Sequence, residues 1–249
     1  MKYLLAFCLT VLPWLTVRAQ VLFDADYGQP IIALVEEDPS LLVIGSDVPT
    51  FALYENGQII YRDMAAPEPQ YLEVRLNQQQ AQDFILTLGL TDELLQQPRL
   101  LRASSAADQP SNELMLHFDS VKITTVYGDL RHPTSPARTR VPAAYLGVYD
   151  KLIGYSNPAA QRWLPERVEV LLTDYSNSPE APRKWPRSFP DLRDPATVRR
   201  NDNLHVLYLD SRDYAALLKL RQELGPKQAV EINGRKFSVS VRLPFPNIQ

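Results

Sequence analysis

Cysteine is all but missing from this chain of 249 residues: the single one, Cys8, sits in the apolar run Tyr3 to Val17. A chain that sheds this run keeps no thiol, which excludes disulfides, thiolate metal sites and a cysteine nucleophile. Histidine is scarce as well, at three, and neither His117, His132 nor His205 has another histidine at ligand spacing. With no His-Glu-x-x-His either, the sequence points to no metal and no cofactor. Glycine is low at nine against 21 prolines, so stiff extended loops are expected rather than flexible linkers. Positive charge is not in excess. With 26 basic and 29 acidic residues, a dedicated nucleic-acid binder is excluded. Also missing are the Gly-x-Ser-x-Gly elbow, Ser-x-x-Lys, the phosphate-cradling Gly-x-x-x-x-Gly-Lys and the dinucleotide Gly-x-Gly-x-x-Gly. Only a dispersed catalytic site, whose members are far apart in sequence, escapes these exclusions.

What is present begins with Met1 to Ala19 (MKYLLAFCLTVLPWLTVRA). Lys2, the apolar run and Val17-Arg18-Ala19 follow the order of a secretory signal. The run falls short of the roughly 20 residues of a spanning helix, and Pro13 interrupts it. An exported chain, periplasmic or secreted, is expected, with no transmembrane segment once the signal is removed.

The clearest local code is Phe51 to Gly89. Asn56-Gly57 between apolar runs predicts a two-residue hairpin turn, pairing Tyr54 with Ile59, Leu53 with Ile60 and Ala52 with Tyr61. Both faces of that hairpin are apolar, so each requires a covering layer. Tyr71 to Leu76 alternates as a strand. Asn77 with Gln80 forms a capping box, Gly89 a C-cap, and Ala81, Phe84, Ile85 and Leu88 an apolar helical stripe. Upstream, Gln20 to Pro49 is hard to read. Ile31 to Val35 and Leu41 to Ile44 have strand character, with Glu36-Glu37-Asp38-Pro39 as a solvated turn between them. Asp24-Ala25-Asp26-Tyr27-Gly28 opens like a calcium loop but lacks the later carboxylates, so a polar loop is expected.

Downstream, Pro98 to Asn112 reads as a polar loop and Glu113 to Tyr127 as a hairpin turning at Asp119-Ser120. Gly128 to Arg140 reads as a basic loop, and Pro142 to Tyr155 as a helix carrying Tyr145, Val148, Tyr149 and Leu152. Arg167 to Asp174 is a strand. Tyr175 to Arg200 holds five prolines and six basic against three acidic residues, which predicts an extended surface loop with Trp185 and Phe189 outward. Leu204 to Leu209 forms a strand, capped at Asp210 into a helix through Leu224. A hairpin around Asn233-Gly234 then pairs Val230 with Phe237 and Glu231 with Lys236.

The expected fold is α+β: antiparallel hairpins, about three amphipathic helices and two similar strand-helix-hairpin units. After the signal, the expected divisions are 20–160, a strand plus Pro-rich loop over 161–203, and a unit over 204–249. The order LYENGQIIYRD, YLEVRLNQQQAQDFILTLGL, ITTVYGDL, a Tyr-rich helix and RKWPRSF resembles a pattern in uncharacterised secreted and lipoprotein-like bacterial envelope proteins, over Pro49 to Phe189. That resemblance implies an envelope setting and no particular activity; the chain departs from the lipoproteins in lacking a usable lipid-attachment cysteine.

One constellation has binding character. Arg131 and His132 in one basic loop, and Arg183, Lys184, Trp185, Arg187 and Phe189 in the other, make a cationic, aromatic surface if the fold brings the loops together. Solvated loops with Trp185 folded back on the sheet are the alternative. Asp129 with His132 is the one local acid–histidine pair, read as a loop contact. Two function classes follow: an exported non-catalytic binding or accessory protein whose partner is another envelope protein or an acidic polymer, or an exported hydrolase with a dispersed site.

Overall fold

The stretch that reads least clearly in sequence supplies the middle of the larger sheet. The computed structural model describes Asp24, residues 26–37, Pro39, residues 48–66 and residues 70–248. The signal-type segment with Cys8 and the Leu41 to Ile44 run lie outside these residues. Strand β1 (Pro30–Glu37) pairs on one side with β2 (Phe51–Tyr54) and on the other with β6 (Ser111–His117). Glu36 and Glu37 thus end a strand, which corrects the expected turn.

Beyond β2 come β3 (Gln58–Asp63), β4 (Gln70–Arg75) and the short β8 (Gln161–Arg162). On the far side of β6 lie β7 (Val121–Tyr127) and β5 (Leu100–Arg102), the latter parallel to β7. The second sheet is built around β9 (Arg167–Asp174), paired with β12 (Leu204–Asp210) and β14 (Arg235–Arg242). Strands β13 (Val230–Ile232) and β10 (Arg183–Lys184) extend it at one edge, and β11 (Val198–Arg199) at the other. The fold is α+β, with sheets of mostly antiparallel strands.

The three helices anticipated from sequence are α1 (Gln78–Leu88), α3 (Ala143–Ile153) and α4 (Tyr214–Gln222); a one-turn α2 (Asp92–Leu95) follows α1. Helix α1 starts where Asn77 and Gln80 exchange side-chain and backbone hydrogen bonds, each 2.9 Å, and stops at Gly89 in the left-handed conformation. These contacts satisfy backbone groups that the helix itself leaves unpaired. In α3, Pro142 is the N-cap rather than a first-turn residue.

The central hairpin is buried on both faces, and its register differs from the expected one. Leu53 pairs with Ile59, Ala52 with Ile60 and Phe51 with Tyr61. Gly57 N–H donates to the Tyr54 carbonyl at 2.9 Å, and only Gly57 takes a positive φ, of 81°. The loop is therefore a type I turn followed by a glycine bulge, one residue longer than the two-residue turn. The slip re-sorts every β3 side chain. Phe51, Leu53, Ile59 and Tyr61 face a core made with Leu88, Leu94, Tyr145, Val148 and Tyr149 from the helices. Ala52, Tyr54 and Ile60 face a second core made with Val168, Val170, Leu207, Leu217, Val230 and Phe237. Each large side chain so buried contributes roughly 1.5–3 kcal/mol.

The C-terminal hairpin matches its expectation: Val230 pairs with Phe237 and Glu231 with Lys236, across Asn233 and Gly234 at φ 48° and 80°. In the β6–β7 hairpin the buried positions on β7 are Thr124 and Val126. Val121, at the start of β7, is exposed.

Candidate functional site

One end of the larger sheet gathers the charged chemistry. Glu37, Ser111, Tyr127 and Arg102 stand on one row across β1, β6, β7 and β5, and Glu36, Asn112, Val126 and Leu101 on the next. The segment after β7 crosses this end. Gly128 opens it at φ 145°, where an added Cβ would lie 2.8 Å from the Ala137 Cβ. Its carbonyl accepts from the buried Asn112 Nδ2 at 2.8 Å.

Glu36 is the hub. Alternation from Ile32 and Leu34 carries it to the helix-facing side, where its side chain is only 11% exposed. Oε1 accepts from Tyr149 Oη at 2.8 Å and Arg131 Nε at 3.3 Å, while Oε2 accepts from Thr50 Oγ1 at 2.6 Å and from Arg131 Nη2. Burial alone pushes the Arg131 guanidinium down, but the hydrogen bond and charge of Glu36 outweigh it and raise its pKa. Burial, then the Glu36 charge, pushes the Tyr149 hydroxyl up. The hub joins β1, the 128–140 segment and α3 in one satisfied network; Glu36 is not the solvated turn residue expected from sequence.

Beside it, His132 Nδ1 lies 2.5 Å from Asp129 Oδ2, and Asp129 Oδ1 accepts from the backbone N–H groups of Arg131 and His132 at 3.0 and 3.2 Å. Burial raises the Asp129 pKa, yet its hydrogen bonds with His132 and the adjacent backbone more than offset this and hold it below the usual carboxylate value. An oriented, exposed imidazole results. Among the described residues, no serine, threonine or tyrosine hydroxyl bonds to it, so the nucleophile that an acyl-transfer site needs is not paired with it.

Eight residues beyond His132, at Arg140, the same segment bounds a cleft of about 530 Å³ lined by Arg102, Ser104, Ser105, Ala106, Ala107, Tyr127 and Arg140. The volume falls within the roughly 300–1,000 Å³ of small-molecule sites. Arg140 Nη1 donates to the Ala103 carbonyl at 3.3 Å, fixing its guanidinium at the rim. Tyr127 Oη donates to the Ala106 carbonyl at 3.1 Å and accepts from Gln109 N–H at 3.2 Å, which ties the 104–109 loop to the sheet. Two arginines and no carboxylate line the cleft.

The second basic loop has a different setting. Trp185 and Phe189 are buried, 8% and 7% exposed, with ring centroids 5.4 Å apart. Trp185 Nε1 donates to the Pro190 carbonyl at 2.8 Å. They close the core between the sheets, and the outward aromatics expected from sequence are corrected. Arg183 pairs with Glu223 and Lys184 with Glu231, leaving Arg187 exposed and, among the described residues, without a carboxylate partner. Among the described residues, no hydrogen bond, ion pair or ring contact joins this loop to Arg131 or His132. Arg102, Ser104, Ser105 and Tyr127 escape sequence reasoning, since the cleft is made from segments far apart in the chain. Glu36 escapes it as well: it stands in an apparent acidic turn, although β1 runs through it to Glu37.

His205 is buried on β12 against Phe237, with ring centroids 5.7 Å apart, and its Nδ1 has no hydrogen-bond partner among the described residues. Burial, then Arg235 and Arg199, hold its pKa below the ordinary 6.5. On acidification the unfolded chain takes up this proton first, so stability falls as pH drops below about 6.5. Unfolding free energies measured between about pH 5 and 7 are expected to slope upward with pH, and His205→Phe to flatten the slope. An unchanged slope in the variant assigns the effect elsewhere.

Compared with protein-family models, curated proteins and solved structures, the chain has no significant match to any of them.

Proposed function

We propose that the protein is an exported, non-catalytic binding protein of the bacterial envelope that recognises an acidic partner through the end of the larger sheet formed by residues 102–107 and 128–140. Export and the envelope setting are supported by the signal-like Met1 to Ala19 and by the resemblance of Pro49 to Phe189 to secreted and lipoprotein-like chains. The observation that carries the function is the cleft: two arginines with no carboxylate among its described lining residues, on a chain whose net charge is −3. Against a net negative charge, attraction to an acidic partner has to be local.

Retention on immobilised poly-glutamate tests this. The protein is expected to bind at low ionic strength and to release near 1 M salt, where the Debye length is about 3 Å. Arg183→Gln/Lys184→Gln/Arg187→Gln is expected to leave retention unchanged, since two of those cations already have glutamate partners. Passage without retention at low salt removes the function. The hydrolase alternative rests on the Asp129–His132 pair; it requires ester turnover that His132→Gln abolishes.

A further inference from the structure

We infer that the cleft of Arg102 and Arg140 takes a single oxyanion, carboxylate or phosphate, carried on a small hydroxylated body of the acidic-sugar type. This deepens the binding function proposed above and rests on it.

The argument starts from the walls. Arg102 ends the edge strand β5 and is exposed. Arg140 ends the turn that closes the 128–140 segment; its guanidinium donates to a backbone carbonyl and, among the described residues, pairs with no carboxylate. Guanidinium groups present several donors in a planar fork that matches both carboxylate and phosphate. Ser104 and Ser105 add hydroxyls to the lining, Tyr127 an aromatic ring, and Ala106 and Ala107 apolar patches. Charged, hydroxyl and apolar surfaces within one cleft of this volume suit a ligand that is itself mixed: an anionic group, several hydroxyls and C–H faces. A long apolar ligand finds too little apolar wall here, and a bare anion leaves most of the cleft unused.

The scaffold beneath is rigid. Ala103 and Ser104 N–H both donate to the Tyr127 carbonyl, at 2.9 and 3.1 Å, and Gly128 N–H donates to the Pro110 carbonyl at 2.8 Å. Both ends of the 104–109 loop are therefore fastened to β7, and little ordering remains to oppose binding.

Calorimetric titration of the full chain with glucuronate, glucose 6-phosphate, inorganic phosphate and glucose tests the assignment. Glucuronate and glucose 6-phosphate are expected to bind, and glucose at least about tenfold more weakly, since hydrogen bonds to a charged group are worth roughly 1.5–3 kcal/mol. The ratio of the two acids tells a carboxylate from a phosphate source. Arg102→Gln and Arg140→Gln are each expected to lower affinity about tenfold, with thermal midpoints unchanged. Glucose binding equal to glucuronate, inorganic phosphate binding as well as glucose 6-phosphate, or an Arg102→Gln/Arg140→Gln double variant with full affinity overturns it. Poly-glutamate retention without any titration by the acids sinks this inference and leaves the broader function standing; loss of both sinks both.

Discussion

Gly57→Ala is expected to destabilise the protein by more than about 3 kcal/mol, and Gly234→Ala by only about 1 kcal/mol. Both glycines follow an asparagine in a hairpin turn, and both have φ near 80°, so the backbone cost of a side chain in the left-handed region is the same for the two. Their surroundings differ. A Cβ on Gly57 would lie 2.3 Å from the Leu76 carbonyl oxygen, whereas one on Gly234 meets nothing within 4 Å. The obstacle at Gly57 is backbone, held by the Leu76 N–H that donates to the Gly57 carbonyl at 2.9 Å, so the turn cannot yield without breaking that bridge. Urea unfolding midpoints of the two variants decide it; equal losses would sink the account.

Glu36→Ala is expected to cost about 3 kcal/mol, a fall in Tm of roughly 8 °C for a chain of this size. The substitution leaves the buried Tyr149 hydroxyl, the Thr50 hydroxyl and the Arg131 guanidinium without their shared acceptor. Glu36→Gln keeps one oxygen in place and is expected to lose about half as much. Because Arg131 is partly exposed, water rescues its charge in part, which places the expected loss at the lower end for a broken buried pair. A loss under about 1 kcal/mol for Glu36→Ala would show the hub to be an ordinary solvated contact.

The two Asn-Gly turns also show where sequence reasoning stops. At Asn233-Gly234 the local code decides, and the residue pairing is legible in the chain. At Asn56-Gly57 tertiary partners decide. Asn56 Nδ2 donates to the Asp26 carbonyl at 2.6 Å, Asn56 Oδ1 accepts from Gln58 N–H at 2.7 Å, and Glu55 N–H donates to the Gln29 carbonyl at 3.0 Å. The Asp26 and Gln29 contacts come from a segment some 30 residues away and favour the longer loop. The capping box of α1 was readable because all its atoms lie within four residues. Strand β1 is legible only over Ile31 to Val35; its run through Glu36 and Glu37 is not, since Ile32, Ala33 and Leu34 are all buried and leave no alternation to carry it on. The cleft is least legible of all: Arg102, Tyr127 and Arg140 share no local pattern; pairing across β5 and β7 sets Arg102 beside Tyr127, and the 128–140 segment brings Arg140 to the Ala103 carbonyl.

The doubly covered β2–β3 hairpin has a consequence for biosynthesis. One of its faces finds its partners in α1 and α3, but the other waits for β9 through β14, whose first core residue, Val168, is more than a hundred positions beyond Ile60. At ribosomal speeds of about 5–20 residues per second that interval is on the order of ten seconds. Throughout it Ala52, Tyr54 and Ile60 form an uncovered apolar strip on an already pairable hairpin. Over that interval the nascent chain carries an apolar strip of the kind that favours aggregation, which the finished fold hides.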